Sequence, residues 1–499
     1  MSPRPGALAL VLHSHLPWLA HHGAWPVGEE WLHQAISASY LPVVALLHRL
    51  AEEGRRDLLT LGVTPVLAAQ LDDPWCLAEH HRWLTDWLLR AQGATASPDP
   101  PAVAGYEGRL ARTALTDFER RWAHGASPLL RALSDGGAVE LLGGPATHTF
   151  LPLSDPAVTA AQLEWGLDDA QLRVGTRPAG IWTPECALRP GLEDLHAAAG
   201  VAHLVIDGPT VHGRTWAGTR LGGTDVVALP RDLEVAYRVW SPRSGYPGAR
   251  DYRDSHTYDH ESGLRPARVT SRHTAPQDKR PYRPERAAAQ VERDAHDFVT
   301  TVARRLDEQA EHAGSAGPLV LAAFDTELFG HHWHEGPAWL ERVLRLLPEA
   351  GVRTTTLAGA VATGMVEGRL DPVPVSSWGA GKDHHVWSGD AVGEVVASHA
   401  EQERRLLTTV AKGDPRVRDP QRDALAREVA VGTASDWAFI ISHDGAAQYA
   451  AERVERSAAR ATRLADAIDA GRPGRLASDV DVALRGLLPC LDARVLGTG

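Results

Sequence analysis

Asp325, Glu327, His331, His332, Trp333 and His334 fall within ten residues of chain. They follow the apolar run Pro318 to Phe324, which reads as a fully buried strand. They precede Gly336-Pro337 and a helical pattern, Trp339, Leu340, Val343, Leu344 and Leu347, that stops at Gly351. Two carboxylates, three histidines and a tryptophan therefore sit where a buried strand ends and a helix begins, the edge at which parallel α/β proteins gather their active sites. A loop of solvated charges is the plain alternative, yet rings and carboxylates seldom crowd beside a core strand without a task.

Two other places carry related chemistry. Glu185 lies just past the apolar stretch Ala179 to Trp182, with Pro184 fixing the turn. His13 and His15 close the first apolar run, Ala7 to Leu12, and strand alternation puts them on one side. Such a pair can take zinc, but the next alternate position, where a His-x-His-x-Asp pattern needs its acid, is Pro17. Imidazoles that hydrogen-bond a ligand's hydroxyls fit as well or better, and a structural pair is also open. There is no glycine-rich phosphate loop, no dinucleotide fingerprint after a strand and no serine or cysteine nucleophile motif. Carboxylates at strand ends with histidine and tryptophan match glycoside chemistry, in which one carboxylate sits below the sugar and an acid beside the leaving oxygen. Glu185 and Asp325 are the natural pair, and Glu327 can replace Asp325, since both face one side if the strand continues.

These residues need a scaffold. The chain is expected to run as a strand from Ala7, a helix from about Trp31 to Arg49, and a second strand, Leu58 to Val63. A tryptophan-rich helical insertion over 72–125 follows, broken by a surface loop at Gly93 to Pro101. Further strands are expected at Val139 to Leu142, before Glu185, and at Val201 to Ile206, with helices at Ala157 to Arg173 and Leu192 to Ala199. This alternation marks a parallel sheet or barrel. Arg238 to Pro284 has no period, and Trp240 to Gly248 is expected to present Tyr246 at an exposed loop tip. A core helix carries Val291, Ala295, Phe298, Val299, Val302 and Leu306, and Val352 to Leu357 is the last expected strand. Asp371 to Gly389 is irregular, and from Gly393 the chain reads as helix. The division expected is 1–392, catalytic, with the 72–125 insertion inside it, and 393–499, helical.

Composition narrows the partners. A length of 499 residues suits one large barrel with additions or two to three domains. A net charge of −12 argues against general nucleic-acid or anionic-membrane binding, and no run is long enough to span a membrane. Three scattered cysteines, Cys76, Cys186 and Cys490, and no signal-peptide pattern over Met1 to Leu12 suit a reducing, cytoplasmic setting. Tryptophan, at 16, outnumbers tyrosine at 8 and phenylalanine at 6, and flat rings with a polar N–H suit sugars.

Several stretches resemble glycoside hydrolase family 57, and within it the 1,4-α-glucan branching enzymes. They are His13 to Pro17, Gly28 to Trp31, Gly144 to His148, Trp182 to Cys186, Phe324 to Gly336, Ser376 to Trp387 and Ser435 to Trp437, in family order over nearly the whole chain. The resemblance implies a distorted (β/α)7 barrel, retaining transfer of a glucan chain to a 6-hydroxyl, and no metal or other cofactor. It makes Glu185 the nucleophile and Asp325 the acid/base. It places His13, His15 and His148 around the reacting sugar, and Trp31, Trp378, Trp387, Asp436 and Trp437 along the donor and acceptor groove. Tyr246 matches a tyrosine that closes over the intermediate. The partners implied are α-1,4-glucans as donor and acceptor, for a monomer or small homo-oligomer. Ser255 to Pro276 is shorter and less aromatic than in the branching members, and the chain ends soon after Leu488-Pro489, both of which bear on acceptor choice. An α-amylase or 4-α-glucanotransferase uses the same site. A metal-dependent deacetylase or mannosidase-like enzyme and a non-catalytic glucan-binding protein are the readings from other classes.

Overall fold

The computed structural model describes Arg4 and residues 6–97, 101–472 and 474–497. The expected leaderless start and the Gly93 to Pro101 loop fall partly outside them; the described helix runs on to Ala96.

Ten strands are described: β1 (Ala7–Ser14), β2 (Leu59–Val63), β3 (Val139–Leu142), β4 (Gly180–Ile181), β5 (His203–Asp207), β6 (Gly218–Leu221), β7 (Val227–Arg231), β8 (Leu319–Asp325), β9 (Thr354–Thr355) and β10 (Val366–Leu370). One sheet runs β3-β2-β1-β8, with β9 also on β1, and a second runs β10-β6-β7-β5-β4. Two seams join them. The Gly143–Ile181 bridge links β3 to β4, and the Asp232 N–H donates to the Leu321 carbonyl (2.8 Å) beside β7 and β8. Strands β1, β2, β3, β4, β5, β7 and β8 thus form a ring in which every recorded pairing is parallel, a distorted seven-stranded barrel.

The strand sequences explain the two-sided burial. In β1, Leu8, Leu10 and Leu12 point out to the helices, whereas Ala7, Ala9 and Val11 point inward against Leu319, Leu321 and Ala323 of β8. Small residues inside let a narrow barrel close, and larger ones outside fill the helix layer. The register sets the site's level: His13 pairs with Asp325 across β1 and β8, and with Gly62 across β1 and β2.

The helical expectations hold with local differences. Between β2 and β3 the helices Pro74–Ala96 and Ala104–Arg121 form a hairpin. The helix expected from Trp31 to Arg49 is instead Glu29–Ala35, a π-turn at Ile36–Tyr40, and Leu41–Glu52. The expected strand at Val352 to Leu357 shrinks to Thr354–Thr355, because Thr356 caps the helix Leu357–Ala362 through its hydroxyl and the Gly359 N–H (3.0 Å). Strands β6, β7 and β10 were not foreseen; they are short and carry Gly218, Pro230 and Gly368, which weaken a strand signal. Beyond Gly393 the described elements are all helices.

Candidate active site

Glu185 follows β4 in a tight turn after Pro184, and its backbone is left-handed, with φ 62°. His148, beyond β3, is also left-handed, with φ 59°. Such a conformation costs a non-glycine residue on the order of 1–2 kcal/mol, so the surroundings must hold it. They do so from the C-terminal helices. The Ser435 N–H donates to the His148 carbonyl (3.0 Å), and Thr149 and Ala434 form a β-bridge.

Both oxygens of Glu185 are fixed. The Trp378 indole N–H donates to Oε2 (2.8 Å) and the Ser435 hydroxyl to Oε1 (3.1 Å). The Trp378 backbone N–H also donates to the Glu185 carbonyl (2.8 Å), so one residue grips the turn twice. Burial pushes the Glu185 carboxyl up to about 7, against the pull of those two donors and with Asp436 adding to the rise.

Asp325 ends β8 at the same rim. Burial, then the carboxylates of Glu327 and Glu185, hold its carboxyl well above the usual range, with Arg231 opposing. Its oxygens have no hydrogen-bond partner among the described residues. Glu327 differs: its Oε1 accepts from the His15 N–H (3.1 Å) and the Tyr40 hydroxyl. Of the two acids left open by the sequence, Asp325 is therefore the one free to face a ligand.

The imidazoles form a stack beside this pair. His15 and His148 lie 3.8 Å apart between ring centres, and His13 stacks on Trp182 at 4.4 Å. His13 Nε2 and His148 Nε2 share a hydrogen bond (3.1 Å), and His148 Nδ1 meets the Ser435 hydroxyl (2.8 Å). His15 bonds Thr64 (2.9 Å) through Nδ1 and Asp436 (2.9 Å) through Nε2. Burial first, then neighbouring imidazoles, keep His13 and His148 well below the ordinary histidine value and so neutral. His15, His148 and Asp436 are close enough to hold a cation. Their rings, however, meet face to face and their nitrogens already have protein partners, an arrangement for hydrogen bonding rather than ligation.

The expected site residues are only partly gathered here. His13, His15, His148, Glu185, Trp378 and Asp436 are joined to one another by the contacts above. Trp31 is half-buried, edge-on to Tyr449 (6.0 Å), in the first turn of the helix Glu29–Ala35, which follows the loop that carries Trp25, 78% exposed. Trp387 and Trp437 correct the expectation. Each is 1% exposed: Trp387 stacks on Phe150 (4.7 Å), and Trp437 bonds the Val431 carbonyl (3.1 Å) under the Arg453 guanidinium. Neither offers a face to a sugar, because the C-terminal helices need flat apolar bodies to seat on the barrel. Tyr246 is a second correction. It is 7% exposed, packed on Trp339, with its hydroxyl on Asp297, so it is a core residue and not an exposed tip. Its flanking glycines admit a tight turn, but the ring is large enough to prefer burial.

Sequence reasoning did not single out Ser435, Thr64, Tyr40 or Arg231. Ser435 stood inside a quoted motif; the rest carry no spacing signal, since their partners are far away in the chain. Arg231 pairs with buried Asp207 (2.9 Å) and lies over the Trp378 ring (5.2 Å), supporting it from behind.

A family model described as glycosyl hydrolase family 57 matches residues 9–367. One described as 1,4-alpha-glucan branching enzyme, C-terminal, matches residues 398–495. A probable 1,4-alpha-glucan branching enzyme of Mycobacterium tuberculosis is 50% identical over 99% of each chain. The crystal structure of a branching enzyme of the same family from Thermococcus kodakaraensis, in complex with glucose, superposes with TM-score 0.92 at 30% identity, covering 97% of this chain and 95% of that one. An α-amylase of Thermotoga maritima superposes with TM-score 0.86 at 25% identity over 99% of both. The chain belongs to glycosyl hydrolase family 57.

Proposed function

We propose that this chain is a 1,4-α-glucan branching enzyme that works by double displacement, with Glu185 as nucleophile and Asp325 as acid/base. The observation that carries the assignment is the contrast between the two acids. Glu185 is held by two donors that favour its ionised form, and Asp325 is unbonded and kept protonated by burial and neighbouring charge.

In the first step Asp325 protonates the glycosidic oxygen while a Glu185 oxygen attacks the anomeric carbon, and the shortened chain leaves. In the second, the Asp325 carboxylate takes the proton of an acceptor 6-hydroxyl, whose oxygen displaces Glu185 and forms the α-1,6 link. The Asp436 carboxylate, oriented by His15, accepts from hydroxyls of the reacting sugar, and neutral His13 and His148, paired through their Nε2 atoms, brace Ser435 and through it Glu185. Trp378 and the half-buried Trp31 supply ring faces for neighbouring sugars. We assign the catalytic unit to 1–392, including the 72–125 hairpin, and the helical unit to 393–499. The chain then acts in the cytoplasm on α-1,4-glucans such as amylose, as a monomer or small homo-oligomer.

The similarity to an α-amylase over the whole length supports one second reading, hydrolysis on the same site. Amylose treated with the enzyme and then with a debranching enzyme separates the two. New short chains released by debranching support transfer. Shortened linear chains with nothing to debranch support hydrolysis. Glu185→Gln and Asp325→Asn are each expected to lower kcat by about 10³-fold or more with an unchanged circular dichroism spectrum.

A further inference from the structure

Glu327 is buried two residues beyond the acid, and what holds it comes from the end of the neighbouring strand β1 and the helix that follows it. The helix after the first strand is interrupted by the π-turn Ile36–Tyr40. Such turns are rare and concentrate at functional sites. This one bears on the loop that follows Asp325 at four points. The Tyr40 hydroxyl donates to Glu327 Oε1, the Ser39 hydroxyl donates to the Glu327 carbonyl (3.4 Å) and accepts from the His331 N–H (3.1 Å), and Gly330 presses on the Ala38 carbonyl. At Gly330 φ is +117°, and an added Cβ would collide with the Ala38 carbonyl oxygen, so only glycine permits the approach.

We propose that Tyr40 is a positioning residue for the general acid: its hydroxyl, delivered by the π-turn, holds Glu327 as a fixed negative charge that keeps the proton on Asp325. The inference rests on the assignment of Asp325 as acid/base. The groups facing Glu327 are Tyr40 on the π-turn, His15 at the end of β1 and Asp325 on β8. Those facing Asp325 are Glu327, Glu185, Arg231, the Tyr40 hydroxyl and the Cys186 thiol. His331 and His332 follow on the same loop; burial lowers both, and neither carries the charge. Burial raises the Glu327 carboxyl to about 7, and the Tyr40 hydroxyl is the first group that opposes this. Tyr40 is itself raised well above its ordinary value by burial and by Glu327, so it stays a donor. Remove that hydroxyl and Glu327 takes up a proton more readily. Asp325 then loses a neighbouring charge, its carboxyl ionises at lower pH, and the acid is lost sooner as pH rises.

The test is the pH dependence of kcat/KM on an end-labelled maltooligosaccharide for wild type, Tyr40→Phe, Glu327→Gln, their double variant and Ser39→Ala. Tyr40→Phe and Glu327→Gln are each expected to move the basic limb down by about one pH unit, with no further movement in the double variant. Ser39→Ala removes the Ser39 contacts of the same turn but keeps the Tyr40 hydroxyl, and is expected to change the rate without moving the limb. A basic limb that stays in place in Tyr40→Phe, or shifts that add in the double variant, would overturn the role of Tyr40 while leaving the acid assignment intact. An Asp325→Asn variant that keeps the wild-type rate and basic limb would overturn the acid assignment, and this role with it.

Discussion

Ser435 touches both the candidate nucleophile and the histidine beside it, through hydroxyl contacts of 3.1 Å to Glu185 and 2.8 Å to His148. A hydrogen bond to a charged group is worth about 1.5–3 kcal/mol, so Ser435→Ala is expected to lower kcat by roughly 10- to 100-fold with KM changed far less. Steady-state kinetics on a maltooligosaccharide check this; a change confined to KM would count against it. The pH profile follows from the same two acids. Glu185 must be ionised, and burial sets it at about 7, so kcat/KM is expected to rise as pH passes through about 7. It then falls at higher pH, where Asp325, held well above the usual carboxylate range, gives up its proton. The two carboxylates stand out in the sequence because each lies at or just past the end of an apolar strand run. What separates Asp325 from Glu327 is not legible there, because it depends on Tyr40 and the His15 backbone, both some 290 to 310 positions away in the chain.

At the scale of elements, the strands that carry the site were legible where apolar runs are continuous, as in β1 and β8. Short or glycine-broken strands such as β6 and β10 were not. The segment after Trp240 shows how a loop signal misleads. Its glycines and prolines report an irregular backbone correctly, but they say nothing of which side chains turn inward. Tyr246 turns inward, against Trp339 and Asp297. Tyr246→Ala is therefore expected to cost about 3–4 kcal/mol of stability, as other large-to-small core changes do, and to leave the ratio of transfer to hydrolysis unchanged in the folded enzyme. Thermal denaturation and product analysis measure both. A variant of unchanged stability that hydrolyses more would return Tyr246 to the lid role.

Across the whole molecule, the C-terminal helices complete the site rather than adjoin it. Ser435 and Asp436 come from them, Arg453 reaches back to the Trp18 carbonyl (2.8 Å), and Glu403 accepts from the Ser154 hydroxyl (2.7 Å) and the Asp155 N–H (2.8 Å). The tryptophan excess suggests a sugar groove; two of the sixteen, Trp387 and Trp437, go instead into this packing. Composition cannot tell a ring that seats a domain from one that seats a ligand, since both need a flat apolar face with a polar edge. Burial raises Glu403 to about 7, so its folded-state value lies above its unfolded one. Its contribution is full below about pH 4.5 and lost as pH rises through about 7. Glu403→Gln is thus expected to gain on wild type by about 2–3 kcal/mol between about pH 4.5 and pH 8, read as the difference in melting temperature. A gap that stays constant with pH would contradict it. No described helix is long and apolar enough to cross a membrane.

In double displacement Glu185 carries the sugar between the two steps. A fluorinated α-glucosyl donor that reacts quickly and is released slowly, followed by peptide mass spectrometry, tests it most directly. The expected result is one glycosyl mass on the peptide containing Glu185, absent in Glu185→Gln. A label on the peptide containing Glu327, or turnover with inverted anomeric configuration and no label, would contradict it.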